Sequence, residues 1–245
     1  MNSEQGAKDP VVFASGANEP FAMPLAVTLY SALVNLEPGR AARVFILDGD
    51  ISAESKHRVE AAVRRTKREV ELTWLGADLG ELGELAVSRW HASICYLRLR
   101  LPDLLPPDIQ RVIYLDSDLV VEGDLARLWR EPMNGHPALA VQNFDPRLLG
   151  EALPEPTREL GLDPSLPYCN SGVMVVDIPR WRELQVLDRV VEFSRRFGRF
   201  IESADQDGIN VALGCDWGLL DPRWNVQLLT LRAYDLHSPM AQSER

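Results

Sequence analysis

Lysine is scarce in this chain and is confined to the first third of the sequence. The 245 residues contain only Lys8, Lys56 and Lys67, and the formal net charge is −10. An acidic chain is a poor partner for a nucleic-acid backbone, so we expect no nucleic-acid ligand. The lack of lysine after position 67 also argues against any site that needs a downstream lysine to balance its charge.

Cysteine is also rare. Cys95, Cys169 and Cys215 are far apart, are odd in number and form no C-x-x-C pair. This pattern indicates neither a disulfide framework nor a zinc site. It fits a reducing compartment, so we expect a cytoplasmic protein.

Long hydrophobic runs are missing as well. No run reaches the ~18 apolar residues of a membrane-spanning helix, and the N-terminal stretch MNSEQGAKDP has no apolar signal core. Peripheral association with the inner face of a membrane stays open, as does the oligomeric state. Apolar residues nevertheless make up 46% of the chain, which is ample for a full core. With no linker and no internal repeat, we predict one domain over residues 1–245.

The strongest local signal is RVIYLDSDLVVEGD, residues 111–124. Residues 112–115 predict a buried strand, and Asp116 and Asp118 follow it directly. Open α/β sheets bind ligands at the carboxyl ends of their strands, and paired carboxylates there suit Mg²⁺ or Mn²⁺. Two other D-x-D triplets, at 48–50 and 205–207, do not lie between two apolar runs. We therefore predict a divalent-metal site at Asp116 and Asp118.

Apolar periodicity predicts strands alternating with helices, which is typical of an α/β sheet. The predicted strands are 11–15, 44–47, 70–75, 112–115, 138–141 and 173–177. The predicted helices are 25–36, 53–67, 88–101, 184–197 and 205–213, with Ser52 and Asp124 as helix caps. Residues 16–18 are predicted to form a turn. Residues 144–167, rich in proline and charge, are predicted to form an irregular functional loop with one helical turn at 157–160.

Four segments together resemble a known family. They are YLRLRLP (96–102), VIYLDSDLVVEGDLARLW (112–129), YCNSGVMVVDIPRWR (168–182) and ADQDGINVAL (204–213). In this order and spacing they resemble the retaining glycosyltransferases of family 8, the group of glycogenin and the bacterial lipopolysaccharide galactosyl- and glucosyltransferases. The resemblance spans roughly residues 10 to 230.

The resemblance implies a fold and an activity. The expected fold is α/β of the GT-A (Rossmann-like) nucleotide-diphospho-sugar transferase type, with a mixed, mostly parallel central sheet and flanking helices. The expected reaction is hexose transfer with retention from a UDP-sugar, UDP-glucose or UDP-galactose, to a carbohydrate, lipid-linked or protein hydroxyl. The expected cofactor is Mn²⁺ or Mg²⁺, which stabilises the charge on departing UDP.

The resemblance also assigns roles to individual residues. Asp116 and Asp118 match the metal-binding acids, and Asp205 and Gln206 match the pair near the anomeric carbon. The positions matched to donor or acceptor contacts are Ala14, Asn18, Arg98, Asp116, Ser117, Asn170 and Ser171. Because an amide cannot act as a carboxylate nucleophile, Gln206 favours a front-face mechanism in which the donor phosphate helps to deprotonate the acceptor.

Two departures from the family pattern keep alternatives open. The first strand lacks the usual acid near the uracil. The closing H-x-x-G-x-x-K-P-W segment, whose histidine completes the metal shell, does not occur up to Arg245, and His237 lacks its expected followers. One alternative is therefore a weak or inactive nucleotide-sugar-binding homologue. Another is a haloacid-dehalogenase-type phosphatase with Asp116 as nucleophile, which would need the downstream lysine that the chain lacks.

Overall fold

A seven-stranded mixed sheet forms the centre of the computed structural model, which describes residues 9–76, 79–85 and 93–227. The strands are β1 (Val11–Asn18), β2 (Ala42–Gly49), β3 (Val70–Gly76), β4 (Arg111–Leu115), β5 (Ala138–Gln142), β6 (Cys169–Asp177) and β7 (Gly218–Leu219). Most of these runs are rich in β-branched and aliphatic residues, and the central strands are buried on both faces. The α/β prediction is confirmed, and each predicted strand has its counterpart.

The order of the strands creates one switch point. The sheet order is β3-β2-β1-β4-β6-β5-β7, so the chain first builds outward on one side of β1 and then crosses to the other side with β4. Strands β1, β2, β3 and β4 run parallel, whereas β6 is antiparallel to both β4 and β5. The carboxyl ends of β1 and β4 and the amino end of β6 consequently meet at one edge of the sheet.

Helices cover both faces of the sheet. They are α1 (Ala22–Val34), α2 (Ala53–Arg65), α3 (Leu101–Leu104), α4 (Leu125–Trp129), α5 (Leu149–Ala152), α6 (Pro154–Leu160), α7 (Ile178–Glu183), α8 (Val186–Phe197) and α9 (Asp205–Ala212). Helices α1, α2 and α4 pack on one face, and α3 and α5 to α9 pack on the other. As predicted, Ser52 caps α2 and Asp124 caps α4, each by accepting a backbone N–H. Within the described ranges no helix is long and apolar enough to cross a membrane.

The predicted turn at residues 16–18 is wrong. These residues continue β1 and pair with Leu47, Asp48 and Gly49 of β2. Parallel pairing with β2 extends both strands past the glycines that the sequence suggests as breakers, because the ladder satisfies their backbone groups. The carboxyl end of β1 is therefore Asn18 rather than Ser15.

The predicted helix over 88–101 is only partly accessible to comparison, because residues 86–92 lie outside the described ranges. Residues Ser93–Arg100 form a 3-10 helix rather than an α-helix, and α3 follows directly. Pro102 was predicted to end the helix, but it occupies the first turn of α3. Proline is tolerated there because the first-turn N–H groups have no partner within the helix.

The segment 144–167 is more regular than predicted. It contains α5 and α6, and it buries Leu149 and Leu153 completely against the sheet. Pro154 and Pro156 lie in the first turn of α6, and Gly161 ends that helix in the left-handed region at φ 65°. The segment is also closed at its base, where the N–H of Asn143 donates to the Tyr168 carbonyl at 2.8 Å.

Two boundaries near the site also differ from prediction. Strand β6 begins at Cys169 rather than at residue 173, so residues 170–172 are extended strand, opposite a register shift in β5. The predicted helix 184–197 corresponds to α8, which begins at Val186 after Gln185 at φ 51°. The short helix α7 before it was not predicted; Asp177 caps it by accepting the N–H of Arg180.

Candidate active site

A cleft of about 640 Å³ opens at the switch point between β1 and β4. Gly16 and Ala17 form its wall at the end of β1, and residues 116–118 form the wall after β4. The other lining residues come from the 3-10 helix, β4, β6, the segment after β5 and α9: Phe21, Ile94, Cys95, Arg98, Tyr114, Asn143, Asp145, Asn170, Ser171, Ser203, Asp205 and Gln206. The four segments of the family resemblance therefore converge on one cleft.

Arg98 is the centre of the polar network. Its Nη2 donates to Asp116 Oδ1 at 2.8 Å, and its Nε lies 2.8 Å from Asp205 Oδ2. Its Nη1 donates to the Ser171 carbonyl at 2.6 Å, and its guanidinium carbon lies 4.3 Å from the centroid of the Tyr114 ring. Burial alone would lower the pKa of Arg98, but Asp116 and Asp205 outweigh burial and raise it well above its ordinary value.

The two acids after β4 have different surroundings. Asp116 shares one oxygen with Arg98, and its other oxygen faces Gly172, where an added Cβ would come within 2.8 Å of it. Asp118 is exposed at the cleft, and no cationic side chain of the described ranges pairs with it. Partial burial, and then the Asp116 carboxylate, raise the pKa of Asp118. Among the described residues, Asp118 therefore has no counter-ion, and the neighbouring Asp116 has one, Arg98.

Asn170 is held in place by amide and backbone contacts. Its Nδ2 donates to Asn143 Oδ1 at 2.9 Å, and its Oδ1 accepts from the Gly172 N–H at 2.9 Å and from Asn225 Nδ2 at 2.6 Å. The Gly172 carbonyl in turn accepts the N–H of Asp116 at 2.8 Å. The start of β6 is thus bonded directly to the first acid of the D-x-D triplet.

Helix α9 brings three consecutive polar residues into the core. Asp205, Gln206 and Asp207 are all buried, and they point to different partners because successive helical residues are about 100° apart. Asp205 faces Arg98, Gln206 reaches the Ser171 N–H and the Tyr168 hydroxyl, and Asp207 reaches that same hydroxyl. Sequence reasoning found the first two residues but not the roles of Tyr168 and Asp207.

Two residues predicted to contact the donor are not among those that line the cleft. Ala14 is fully buried in the middle of β1, between Phe45 of β2 and Tyr114 of β4. Because β1 runs three residues further than predicted, Gly16 and Ala17 take the place at the cleft. Asn18 ends β1 at the same edge, and its Oδ1 is buried without a hydrogen-bond partner among the described residues.

Several cleft residues were missed by the sequence analysis. Tyr114 provides the ring over which Arg98 lies, and Asn143 and Asp145 follow β5. The only local signal for Tyr114 was its position inside the D-x-D segment, where it looked like an ordinary core residue. Of the other proposed candidates, His237 lies outside the described residues. The triplet at 48–50 is not part of the lining, since Asp48 pairs with Lys56 and accepts the Ile51 N–H.

The fold is that of the GT-A glycosyltransferases. A solved structure of the galactosyltransferase LgtC in complex with donor and acceptor sugar analogs superposes with a TM-score of 0.78, covering 95% of this chain and 82% of LgtC at 21% identity. Core-mannan synthase A from Aspergillus fumigatus, in a Mn/GDP form, gives a TM-score of 0.53 over 86% of this chain and 71% of its own at 12% identity. At these identities the likeness concerns the fold.

The sequence places the chain within a family. The model of glycosyl transferase family 8 matches residues 12–243, so the chain belongs to that family and is a glycosyltransferase. General stress protein A of Bacillus subtilis (strain 168) is 28% identical over 224 residues, 90% of this chain and 75% of the relative. Probable galacturonosyltransferase-like 3 of Arabidopsis thaliana is 34% identical over 137 residues, 53% of this chain and 40% of the relative. Family membership removes the phosphatase alternative.

Proposed function

We propose that this chain transfers a hexose from a UDP-sugar to a carbohydrate hydroxyl, with retention of configuration and with Mn²⁺ or Mg²⁺. The observation that carries this proposal is that Asp116 and Asp118 line the same cleft as the buried Arg98–Asp205 ion pair, at the β1/β4 switch point. Acids for a cation and a guanidinium for oxygens of the donor lie side by side, as a sugar diphosphate requires. The LgtC complex holds donor and acceptor sugar analogs, which supports a carbohydrate acceptor here.

The residues after β4 fit a divalent cation. Asp118 is partly desolvated with no counter-ion in the described ranges, and Asp116 lines the same cleft. Two carboxylates in this state gain stability when a hard cation sits between them. When bound, the cation supplies a Lewis acid for the diphosphate oxygens. Asp118 would be its principal protein ligand, because Asp116 is shared with Arg98.

The remaining residues fit the sugar and nucleotide. Asp205 and Arg98 line the cleft as a buried ion pair, and Asn170, Ser171 and Ser117 line it with amide and hydroxyl groups. Gly16 and Ala17 at the end of β1 leave room for a flat base, and next to them the buried side-chain oxygen of Asn18 has no donor among the described residues. Gln206 offers an amide and not a carboxylate, which favours the front-face mechanism.

The three cysteines are free, which supports a reducing cytoplasmic location. We treat the chain as a single catalytic domain, since its two hydrophobic clusters lie on the two faces of one sheet. Attachment to the inner face of a membrane remains compatible with a lipid-linked acceptor.

The test is calorimetry combined with donor hydrolysis. UDP is titrated into the protein with Mn²⁺ and then with EDTA, and UDP-glucose and UDP-galactose are incubated with enzyme to detect released UDP. We expect Mn²⁺-dependent UDP binding and slow hydrolysis of the preferred donor. UDP affinity that is unchanged by EDTA would refute the metal assignment. Metal-dependent binding without any turnover of either donor would instead indicate a nucleotide-sugar-binding homologue or a different sugar, which a wider donor panel distinguishes.

A further inference from the structure

The protein itself holds the side-chain amide of Gln206 from two sides. Its Oε1 accepts the Ser171 N–H at 3.0 Å, and its Nε2 donates to the Tyr168 hydroxyl at 3.1 Å. A backbone N–H can only donate, so the amide atom that faces Ser171 must be the carbonyl oxygen. One backbone group therefore decides which way the amide of Gln206 points.

The hydrogen bond from Tyr168 to Asp207 points in the same direction as the bond from Gln206 to Tyr168. Because the Tyr168 oxygen accepts a hydrogen from Gln206, its own hydrogen is free for another acceptor, and it donates to Asp207 Oδ1. The second oxygen of Asp207 accepts the N–H groups of Glu202 and Ser203, both at 2.9 Å. An ionised carboxylate only accepts. Every hydrogen bond in the relay Ser171–Gln206–Tyr168–Asp207 therefore points from Ser171 towards Asp207.

The relay is buried along its whole length. Tyr168 is 0% exposed, Asp207 2%, Ser171 5% and Gln206 8%. In such surroundings a hydrogen bond of the wrong polarity cannot be replaced by water, so the direction of the relay is strongly enforced. At the donor end of the relay lies Ser171, whose carbonyl accepts a hydrogen bond from Arg98 Nη1 at 2.6 Å.

We propose that Tyr168 and Asp207 are positioning residues that orient the Gln206 amide and, through it, the Ser171 backbone that holds Arg98. Neither side chain is among the residues that line the cleft. Tyr168 therefore reaches the cleft through Gln206, and Asp207 reaches it through Tyr168 and through the N–H of Ser203, which lines the cleft. The effect on turnover rests on the proposed function, whereas the relay itself can be tested without any substrate.

The kinetic test is a double-mutant cycle between Tyr168→Phe and Gln206→Ala, assayed by Mn²⁺-dependent hydrolysis of UDP-glucose and UDP-galactose. Tyr168→Phe removes one buried hydrogen-bonding group, so we expect kcat to fall about fivefold with KM changed by less than about twofold. In the Gln206→Ala background the same change should cost nothing further, because the group it orients is gone. A full fivefold loss in that background would show that Tyr168 does not act through Gln206.

The second test reverses the polarity of the relay. In Asp207→Asn the new amide can accept the two backbone N–H groups only by aiming its own N–H at Tyr168. The Tyr168 hydroxyl then either donates to residue 206, which conflicts with the orientation set by Ser171, or accepts from both amides and loses the acceptor of its own hydrogen. In Gln206→Glu/Asp207→Asn residue 206 accepts on both oxygens and every hydrogen bond is matched again. We expect Asp207→Asn to lower the urea midpoint of unfolding and the double variant to recover most of that loss.

The unfolding midpoints distinguish a failure of the proposed function from a failure of the relay. If the wild type hydrolyses no nucleotide-sugar of the wider donor panel, the proposed function fails, while the unfolding midpoints still decide the relay. If the urea midpoint of the double variant falls by the sum of the losses measured for Asp207→Asn and for Gln206→Glu alone, the relay is overturned. Tyr96→Phe is the matched control, since it removes a buried hydroxyl that interacts with Ser194 instead. Its effects on midpoint and kcat should add to those of Gln206→Ala.

Discussion

The Nε of Arg98 lies 2.8 Å from Oδ2 of Asp205, and both side chains are almost completely buried. The family resemblance implies that Asp205 contacts the sugar, and this ion pair indicates that Asp205 also stabilises the fold. Asp205→Asn leaves Arg98 with only Asp116 as a counter-ion. We expect the free energy of unfolding to fall by ~1–3 kcal/mol and donor kcat/KM to fall with it, measured by urea denaturation and donor hydrolysis.

An exposed ion pair serves as the control for this prediction. Arg180 and Glu183 pair at 2.6 Å on the surface of α7, where the Glu183 side chain is 65% exposed. Glu183→Gln should change the free energy of unfolding by less than ~0.5 kcal/mol. Equal losses of unfolding free energy for Asp205→Asn and Glu183→Gln would mean that burial of the Arg98–Asp205 ion pair adds nothing to stability.

Replacing Arg98 by lysine keeps the charge and loses the geometry. A single ammonium cannot reach Asp116, Asp205 and the Ser171 carbonyl at once, and it cannot lie flat over Tyr114. We expect Arg98→Lys to lower donor kcat/KM by about 100-fold. Arg100→Lys is the control, because Arg100 makes a longer ion pair of 3.4 Å with Asp103 and does not line the cleft. Similar activities of the two variants would contradict the role of Arg98.

Asp118→Asn should separate ligand binding from stability. The Asp118 carboxylate has no counter-ion in the described ranges, so removing its charge leaves no partner unpaired. We expect the metal-free protein to unfold within ~0.5 kcal/mol of the wild type, while Mn²⁺-dependent UDP affinity falls at least about tenfold. Calorimetry of UDP with Mn²⁺ measures the second effect. Asp50→Asn, at the exposed end of the triplet 48–50, should leave that affinity unchanged.

The buried Asp207 carboxyl predicts a pH dependence of stability. Burial raises its pKa in the folded protein, against the lowering effect of its hydrogen bonds from Tyr168, Ser203 and Glu202. Relative to the unfolded chain, the folded state therefore holds the Asp207 proton more tightly, so this contribution to stability is complete below an ordinary aspartate pKa of about 3.9, whereas the carboxyl is ionised above its raised pKa. That contribution is lost as the pH rises through the raised pKa of the folded state.

Comparison with Asp207→Asn isolates this effect, since asparagine does not titrate. The free energy of unfolding of the wild type minus that of the variant should decrease as the pH rises from about 4 and then reach a plateau. Denaturant titrations at several pH values between about 4 and 7 measure the difference. A difference that grows with pH would show that the folded state favours the charged carboxylate.

The residues that local pattern could identify are those next to a strand or helix boundary. Asp116 and Asp118 follow β4 directly, and the family resemblance led to Arg98, Asp205 and Gln206. The structure brings all five to one cleft because β1 and β4 diverge there and β6 enters the same edge in the opposite direction.

The residues that escaped prediction depend on contacts far apart in sequence. Tyr168 and Asp207 are 39 positions apart, and each alone looks like a core aromatic or a helix-start acid. The family resemblance matches Ala14 to a donor contact, but Ala14 lies in the middle of β1. Pairing with β2, rather than local propensity, decides that β1 continues to Asn18. The prolines at 154 and 156 suggested irregular chain, although burial of Leu149 and Leu153 stabilises two short helices there.

The hydrogen bond between Asn143 and Tyr168 closes the intervening segment at its base, directly beside the cleft. Leu149 and Leu153 hold the segment in the core, so its exposed turns are the parts that can change length with little effect on the sheet, since doubling a flexible loop costs only ~0.6 kcal/mol of closure entropy. Asn143 and Asp145 line the cleft, so changes at this end of the segment alter the wall of the cleft. Grafting this segment from one relative to another is therefore the exchange we expect to change acceptor preference while leaving the donor site intact.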